Sequence, residues 1–575
     1  MGGFFILSKT GEQDAPDALI KSRNQFRSSG FGTPISFESD DRAIDYYPKL
    51  GGEISNLVRF DSGDFILSVG SLFFRGRSGD EALRLLYREP DIVVAIAAAR
   101  GHFAVIVRKD GVTRLIQDAM GAYEVFLSRE GRCATTSFLA AAAVAPRLTI
   151  QDHEVYEYVF NGVCLGASTP FAEVRKLDFS ERLTLAPGWK IERGARVPDF
   201  PQSDEPLSTL LERNLDGLVG YASELADRFG DNIRLALSGG YDSRFLLALF
   251  RRAGVTPKLF VYGSAGSQDV RMALQIAQAE GIKVDHIDKS ALSAVTPDDY
   301  AAVVEKNFHM EDALPWGGIF TTGAELVARR QRNENGALHV NGGGGEVFRN
   351  YFYLLDRPIS PRGLVWTFFS QYSAAQCTPL FDRRDYEEKI AAKIESLFGL
   401  SGSLLSRPQV EAAYPYFRCR SWFGRENSIN NRWGYSVLPF FEYRTVKEAL
   451  RIPVRYKEFG NFEAAMIRRA DPSLARHASN YGHDFTGNRP LVGAIQDVAT
   501  YVRPPWLRRL TFPAKALVKG REPRSSVLSD SLLERVLDPR FPRMSRYFRV
   551  DRITSTDQFA RICTLEYALD KLGAV

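Results

Sequence analysis

The sequence predicts a layered α+β domain, then an α/β domain built on a parallel sheet, then a helical C-terminal extension. Three observations carry this reading. The first 200 residues are rich in short apolar strands. From residue 233 strands alternate with helices across Gly-rich turns, and beyond residue 300 the pattern is mainly helical. The chain has 575 residues, too many for one core, since domains usually hold about 100–200 residues. The expected divisions are 1–200, 205–490 and 491–575.

In the first domain the candidate strands are 54–60, 64–74, 103–109, 113–118 and 123–128. Turns such as RKDGV and SREGR separate them. Helices are expected from Asp80 to Glu89 and around Ser137 to Ala145. A polar linker, PQSDEP (201–206), leads to an amphipathic helix from Leu207 to Phe229, stopped by Gly230. The strand IRLAL (233–237) follows, then a helix from Ser243 to Ala253, the strand 258–263, a helix from Gln268 to Glu280, and the strand 283–288. Such alternation means a parallel sheet with right-handed crossovers, whose ligands bind beyond the carboxyl ends of the strands.

Composition narrows the function classes. Hydrophobic residues make up 45% and charged residues 25%, as in an ordinary globular protein. No apolar run reaches roughly 18 residues, so no membrane span is expected. The start, MGGFFILSKTGEQDAPD, lacks the basic stretch of a secretory signal. Ile6 stands where a myristoylation motif begun by Gly2 wants Ser or Thr. Cys133, Cys164, Cys377, Cys419 and Cys563 lie far apart without a CxxC pair, which suits a reducing cytoplasm and excludes a disulfide framework or zinc site. The seven histidines form no HExxH. A net charge of +5 at this length implies no nucleic-acid partner.

The segment LALSGGYDSRFLLAL (235–249) carries the chemistry. A buried strand leads to Ser238. Gly239 and Gly240 permit close backbone approach to a ligand. Asp242 and Ser243 open a helix whose unpaired N–H groups make an anion site with the loop. The serine hydroxyls can donate to phosphate oxygens, and Asp242 can hold the Mg²⁺ that offsets their charge. No GK[ST] follows, so this is not a Walker A loop. A tight turn capped by Asp242 is the plainer alternative. A second element, NGGGGEVF (341–348), has four consecutive glycines, each costing about 0.5–1 kcal/mol against Ala. Proximity to a ligand would offset that cost, with Glu346 as a second metal-binding carboxylate; a mobile loop is the alternative.

SGGYDS resembles the SGGxDS loop of the N-type ATP pyrophosphatases, which form an acyl or carbamoyl adenylate and release pyrophosphate. Over roughly residues 1–485 the chain resembles asparagine synthetase and its relatives, including β-lactam synthetase and the lasso-peptide cyclases. The start MGGFFIL is similar to that family's MCGxxG, GHFAVIV (101–107) to its GxFAF-like strand, and QDAMGAYEVF (117–126) to its RDxxGxxPL segment. A strand–helix unit of GSxxxxD type also matches. The resemblance implies an N-terminal Ntn-type glutamine amidotransferase-like sandwich and an ATP-pyrophosphatase domain. It implies ATP at Ser238, Gly239, Gly240, Asp242 and Ser243, with adenine between the strand holding Val261 and the loop start, Asn341 and Gly342. Mg²⁺ falls to Asp242 and Glu346, and the substrates are a small-molecule or peptide carboxylate and an amine.

The departures shape the expected activity. Glutamine-hydrolysing members carry a nucleophilic cysteine at the second position, where this chain has Gly2. Glycine cannot be a nucleophile, so no glutaminase activity is expected. Asn341 replaces the family's Ser in the Gly-rich loop. The family's catalytic lysine lies in a segment matched here by ARHASNYGHDF (475–485), which contains no lysine. Arg476, His477, Lys457, Lys515 and Lys519 remain as sources of its charge, and polar packing is the alternative for His477 and His483. Arg418, Arg420 and Arg425 suit either an anionic ligand or internal ion pairs. The basic, aromatic stretch Tyr501 to Arg524 suits an anionic lipid surface or peptide; a helical flank tied down by Trp506 and Phe512 is preferred. The expected activity is AMP-forming amide ligation. Its rivals are an ammonia-fed asparagine synthetase, a nucleotide-binding scaffold, and a tRNA-modifying pyrophosphatase, whose usual paired cysteines or strongly basic domain are absent.

Overall fold

A computed structural model of the chain describes residues 2–9, 14–51, 55–185, 189–194, 196–292, 295–487 and 491–574. Two antiparallel sheets form the N-terminal domain. One runs Val174–Lys176, Phe126–Ser128, Cys133–Thr135, Gly3–Ser8, Arg42–Tyr47, Ile35–Glu38 in spatial order. The other centres on Phe65–Phe74 paired with Arg100–Lys109. Alternation along the strands builds the layers. Phe4 and Ile6 share a dry core with Leu67, Val69, Ala104 and Ile106 of the opposite sheet. Phe5 and Leu7 point the other way, into the cluster that includes helices Ala15–Ser28 and Phe138–Val144. On the far side Ile66, Val105 and Val107 pack with helices Gly79–Arg88 and Ile92–Ala98. The layers run helix, sheet, sheet, helix, a four-layer α+β sandwich.

Helix Leu207–Phe229 opens the second domain as expected. Its sheet is wholly parallel, in the order Val284–Ile287, Lys258–Tyr262, Ile233–Ala236, Leu338–Val340, Tyr435–Val437. The first three strands build outward from Ile233–Ala236 in one direction, and the last two lie on its other side. The order therefore reverses between Ile233–Ala236 and Leu338–Val340. Crevices for ligands open at such a reversal, beyond the carboxyl ends of the strands. SGGYDS and NGGGGE leave these two neighbouring strands there.

The C-terminal extension is helical but not a separate appendage. Its last helix, Thr556–Lys571, is buried along most of its length. From it Arg561 donates to the carbonyls of Val159 (2.9 Å) and Trp316 (2.6 Å), tying both domains. A second joint is made by Asp312. Its carboxylate accepts from Ser137 Oγ (2.6 Å) and from the N–H groups of Phe138 (2.8 Å) and Leu139 (3.1 Å), so it caps a helix of the other domain. Arg425 and Arg432 lie 3.2 and 3.0 Å from the same carboxylate. Against burial, which raises it, they hold the Asp312 carboxyl down to about 2. Arg420 pairs with Asp178 at 3.0 Å, so both arginines form internal ion pairs, one of the two expected roles. All five cysteines are free and buried. No helix among the described residues is long and apolar enough to cross a membrane.

Candidate functional site

The strand Ile233–Ala236 delivers the chain to Ser238, and helix Tyr241–Arg252 starts three residues later with no side-chain cap at its N-terminus. The loop between them is braced from within. Ser243 Oγ lies 2.9 Å from Ser238 Oγ and accepts from the Ser238 N–H at 3.0 Å. Gly240 N–H donates to Ser238 Oγ at 3.3 Å, and Gly239 N–H donates to the Asp269 carboxylate at 3.3 Å. The two hydroxyls and the first two glycine amides thus have partners inside the protein. What remains uncapped by a side chain is the helix N-terminus itself, an electropositive end.

The second Gly-rich loop closes on the first. A Cβ on Gly342 would lie 3.0 Å from Asp242 Cβ, and one on Gly345 would fall well inside contact distance of Asp242 Oδ1. The close backbone approach that the glycines allow is therefore an approach to Asp242. Gly344 adds a left-handed turn at φ 96°. Asn341 Oδ1 accepts from Gly343 N–H at 2.8 Å, holding the loop's entry. Val261 is buried in the core beneath its strand and offers the site no exposed side chain.

Around Asp242 and Glu346 stands a charged cluster whose other members, Arg349 and Glu463, the sequence reading did not single out. Arg349 Nη2 donates to Asp242 Oδ1 at 2.8 Å and lies 3.6 Å from Glu346 Oε1, while its Nε lies 3.1 Å from Glu463 Oε2. Tyr414 OH donates to the other oxygen of Glu346. Burial raises the Asp242 carboxyl to about 6, Glu346 adds to the rise, and Arg349 opposes it. Glu463 has no exposed surface, and burial drives its carboxyl well above the usual range.

This geometry bears on the expected Mg²⁺ site. Asp242, Glu346 and Glu463 do not converge as a three-carboxylate cluster among the described residues, and a guanidinium stands between the two carboxylates assigned to the metal. As folded, Asp242 and Glu346 do not fit a shared divalent ion, and the local positive charge is Arg349. Among the described residues only His153, Glu154 and Glu157 converge in the manner of metal ligands, and Lys393 Nζ already lies 3.2 and 2.8 Å from the two glutamates.

The segment matched to the family's lysine region does lie against the loop. Asn480 N–H donates to the Gly239 carbonyl at 3.1 Å, and the fully buried Arg244 fixes the segment through the carbonyls of His477 and Ala478, both at 2.6 Å. Its candidate cations fare differently. His477 pairs with Glu280 at 2.6 Å, and Lys457 is buried against Glu411 at 3.1 Å. Arg476 is exposed, and the side chains of Lys515 and Lys519 lie outside the described residues. His483 lines a cavity of about 460 Å³ together with Tyr241, Glu346, Arg349, Asn480 and Tyr481. Its Nε2 is buried without a hydrogen-bond partner. Arg349 and His483 are thus the basic residues that line this cavity among the described residues. One signal for Arg349 was available: it falls one helical turn after Glu346, directly behind the Gly-rich loop.

No protein-family model matches the chain, and no curated protein matches it. Among the solved structures similar over part of it are two enzymes. One is glutamine phosphoribosylpyrophosphate (PRPP) amidotransferase from B. subtilis complexed with ADP and GMP, at 12% identity, 50% of this chain, 65% of that one and a TM-score of 0.23. The other is described as the allosteric regulatory enzyme of purine biosynthesis, at 12% identity, 53% of this chain, 77% of that one and a TM-score of 0.24. The chain thus spans just under two thirds of the first. Likenesses this remote carry no argument, and the fold rests on the sheets themselves.

Proposed function

We propose that this protein is an ATP-dependent, AMP-forming amide ligase that works without hydrolysing glutamine. The observation that carries the reading is the meeting of the two Gly-rich loops at the strand-order reversal of the parallel sheet. There an uncapped helix N-terminus, Arg349 and a cavity of about 460 Å³ adjoin one another. A helix N-terminus with a nearby guanidinium suits a polyphosphate. In the proposed reaction the substrate carboxylate oxygen attacks the α-phosphorus and the bond to the β-phosphate oxygen breaks, releasing pyrophosphate. The amine nitrogen then attacks the acyl carbon, AMP leaves with the bonding electron pair, and the amine proton passes to a base. His483, which lines the cavity and has an unpartnered Nε2, is assigned as that base. Arg349 stabilises charge growing on the leaving pyrophosphate. A divalent ion arriving with ATP is held mainly by the phosphates.

The Ntn-type domain supports the loss of glutaminase activity. Gly2 is buried, and a Cβ there would collide with Phe31 Cε1 and the Pro48 carbonyl. Phe26 and Tyr47 stack beside it at 4.0 Å, so aromatic rings fill the space around this position.

The test is pyrophosphate release from ATP across a panel of carboxylic acids with and without amines, alongside ATP binding by calorimetry. Release that depends on one acid, with amide formed, is the expected result. Absence of both binding and release refutes the proposal. Binding without turnover selects the second reading, a nucleotide-binding scaffold, which the engaged Gly239 amide and the Arg349–Asp242 pair favour.

A further inference from the structure

The cavity of about 460 Å³ beside the Gly-rich loops owes its apolar lining to rings alone. Five of its thirteen described lining residues are aromatic, Tyr241, Tyr351, Tyr353, Phe459 and Tyr481, against 12% aromatic residues in the chain. No leucine, isoleucine, valine or methionine joins them among the described residues. A crevice left over from ordinary core packing carries aliphatic side chains as well, since these are the commonest interior residues. Tyr241 is buried, stacked on Phe485 at 4.2 Å with the Arg349 guanidinium over its ring at 5.3 Å. Tyr351, Tyr353 and Phe459 are half-buried, and Tyr481 is 51% exposed, so these four keep surface that the protein's own packing does not cover.

Two of the five are held in a backbone region that bulky side chains avoid. Tyr353 has a φ of 50° and Phe459 one of 56°. They lie on separate segments, Tyr353 behind the Gly-rich loop and Phe459 in the turn before helix Asn461–Ala470. Glycine takes such a bend freely, as Gly460 does at φ 74°. The bend at Tyr353 is fixed from both sides. Its N–H donates to the Asn350 carbonyl at 3.0 Å, and its carbonyl accepts from Arg508. Arg508, only 5% exposed, also donates to the carbonyls of Phe352 and Thr500, both at 2.7 Å. Arg508 therefore ties the basic flank down, and Trp506, 54% exposed, does not, contrary to the preferred sequence reading. Strain of this kind clusters at ligand sites, and here two strained rings border one cavity.

Resting on the ligase reading, we infer that one of the two substrates carries a phenyl or phenol ring, and that Tyr353 and Phe459 select for it. Flat rings meet other rings in offset-stacked or edge-to-face pairs, a contact that an alkyl chain does not return. The volume suits a ring with a short tail, within the roughly 300–1,000 Å³ usual for small-molecule sites. Asn350, Gln496 and Asp497 share the lining and supply the few polar groups that orient such a tail. The ring belongs either to the acid or to the amine, and probes of opposite charge separate the two.

The experiment is calorimetry on the full chain without ATP, with 3-phenylpropionate and phenethylamine as ring probes and hexanoate and hexylamine as their alkyl counterparts. One ring probe is expected to bind about tenfold or more tighter than its counterpart, and its charge assigns the ring to the acid or the amine. Phe459→Gly and Tyr353→Gly are each expected to lose about fivefold or more of that binding. Their melting temperatures should stay within about 2 °C of the wild type, because glycine relieves the left-handed bend. Rings that serve only the fold would give the reverse, a lower melting temperature with ring binding intact. Equal binding of ring and alkyl probes overturns the inference, as does absence of ring binding, or wild-type binding by either glycine variant. ATP titrated into the same samples keeps the two readings apart. ATP binding without ring binding overturns this inference alone, and ring binding without ATP binding overturns the ligase reading alone.

Discussion

Replacing Arg349 with Met tests the charged cluster directly. The side chain's nitrogens lie 2.8 Å from Asp242, 3.1 Å from Glu463 and 3.6 Å from Glu346. Methionine keeps much of the stem and deletes the charge. Removing one partner of a buried ion pair costs about 3–5 kcal/mol, because the other charge stays buried. At about 2 °C per kcal/mol for a unit of this size, the melting temperature should fall by about 6–10 °C at pH 8. The sign of the pH dependence follows from the carboxyls. Asp242 sits at about 6 in the fold against an ordinary 3.8, so the folded form holds its proton more tightly. Its contribution to stability is fully present below about 3.8 and lost as pH rises through about 6. Without Arg349 that window moves upward, and the deficit should narrow by about 1.4 kcal/mol per pH unit where one carboxyl takes up its proton. Calorimetric melts at pH 8 and 5.5 provide the measurement, with Arg349→Met/Asp242→Asn/Glu463→Gln as the neutralised control. A drop under 2 °C at pH 8, an equal drop at both values, or a control no more stable than Arg349→Met would refute the reasoning.

Three further outcomes are expected. Gly345→Ala puts a methyl into Asp242, so overpacking should cost about 1–3 kcal/mol and weaken ATP binding in calorimetry; wild-type affinity and stability would show the loop to be slack. Gly2→Cys should restore no glutamine hydrolysis and should lower the melting temperature, because Phe31 occupies the space; glutamate release from glutamine would contradict this. Asp312→Asn should cost about 3–5 kcal/mol at pH 7. Asp312 is depressed to about 2, so its contribution is present above about 3.8 and lost as pH falls toward 2, and the variant's deficit should shrink near pH 3.

Much of the frame was legible in the sequence. The run IRLAL, the turn SGGYDS and the glycine-stopped helices reported the start of the parallel sheet to within a few residues, because hydrophobic period and Gly punctuation are local signals. The strand Arg42–Tyr47 was not anticipated. It carries Asp45, which reads as a turn residue until Arg23, 22 positions earlier, is seen donating to it at 2.7 Å. The strand Tyr435–Val437 is three residues long and follows an Arg- and Trp-rich helix, so it has no period of its own. The same limit applied at the site. Glu463 lies among Phe462, Met466 and Ile467 on a buried helix face, a lone acid whose partner only tertiary packing supplies. Likewise no local pattern could reveal that Ser238 and Ser243 bond to each other.

Asp312 has a φ of 55° and the following Ala313 one of 74°, a left-handed pair that ordinary side chains avoid. The tight bend presents the aspartate to the other domain's helix, so the strain is borne by one half of the molecule for the benefit of its neighbour. Separating the halves would leave a helix start bare on one side and an idle kink on the other. The antiparallel half thus does mechanical work for its neighbour, as the bracket to which the parallel sheet is bolted.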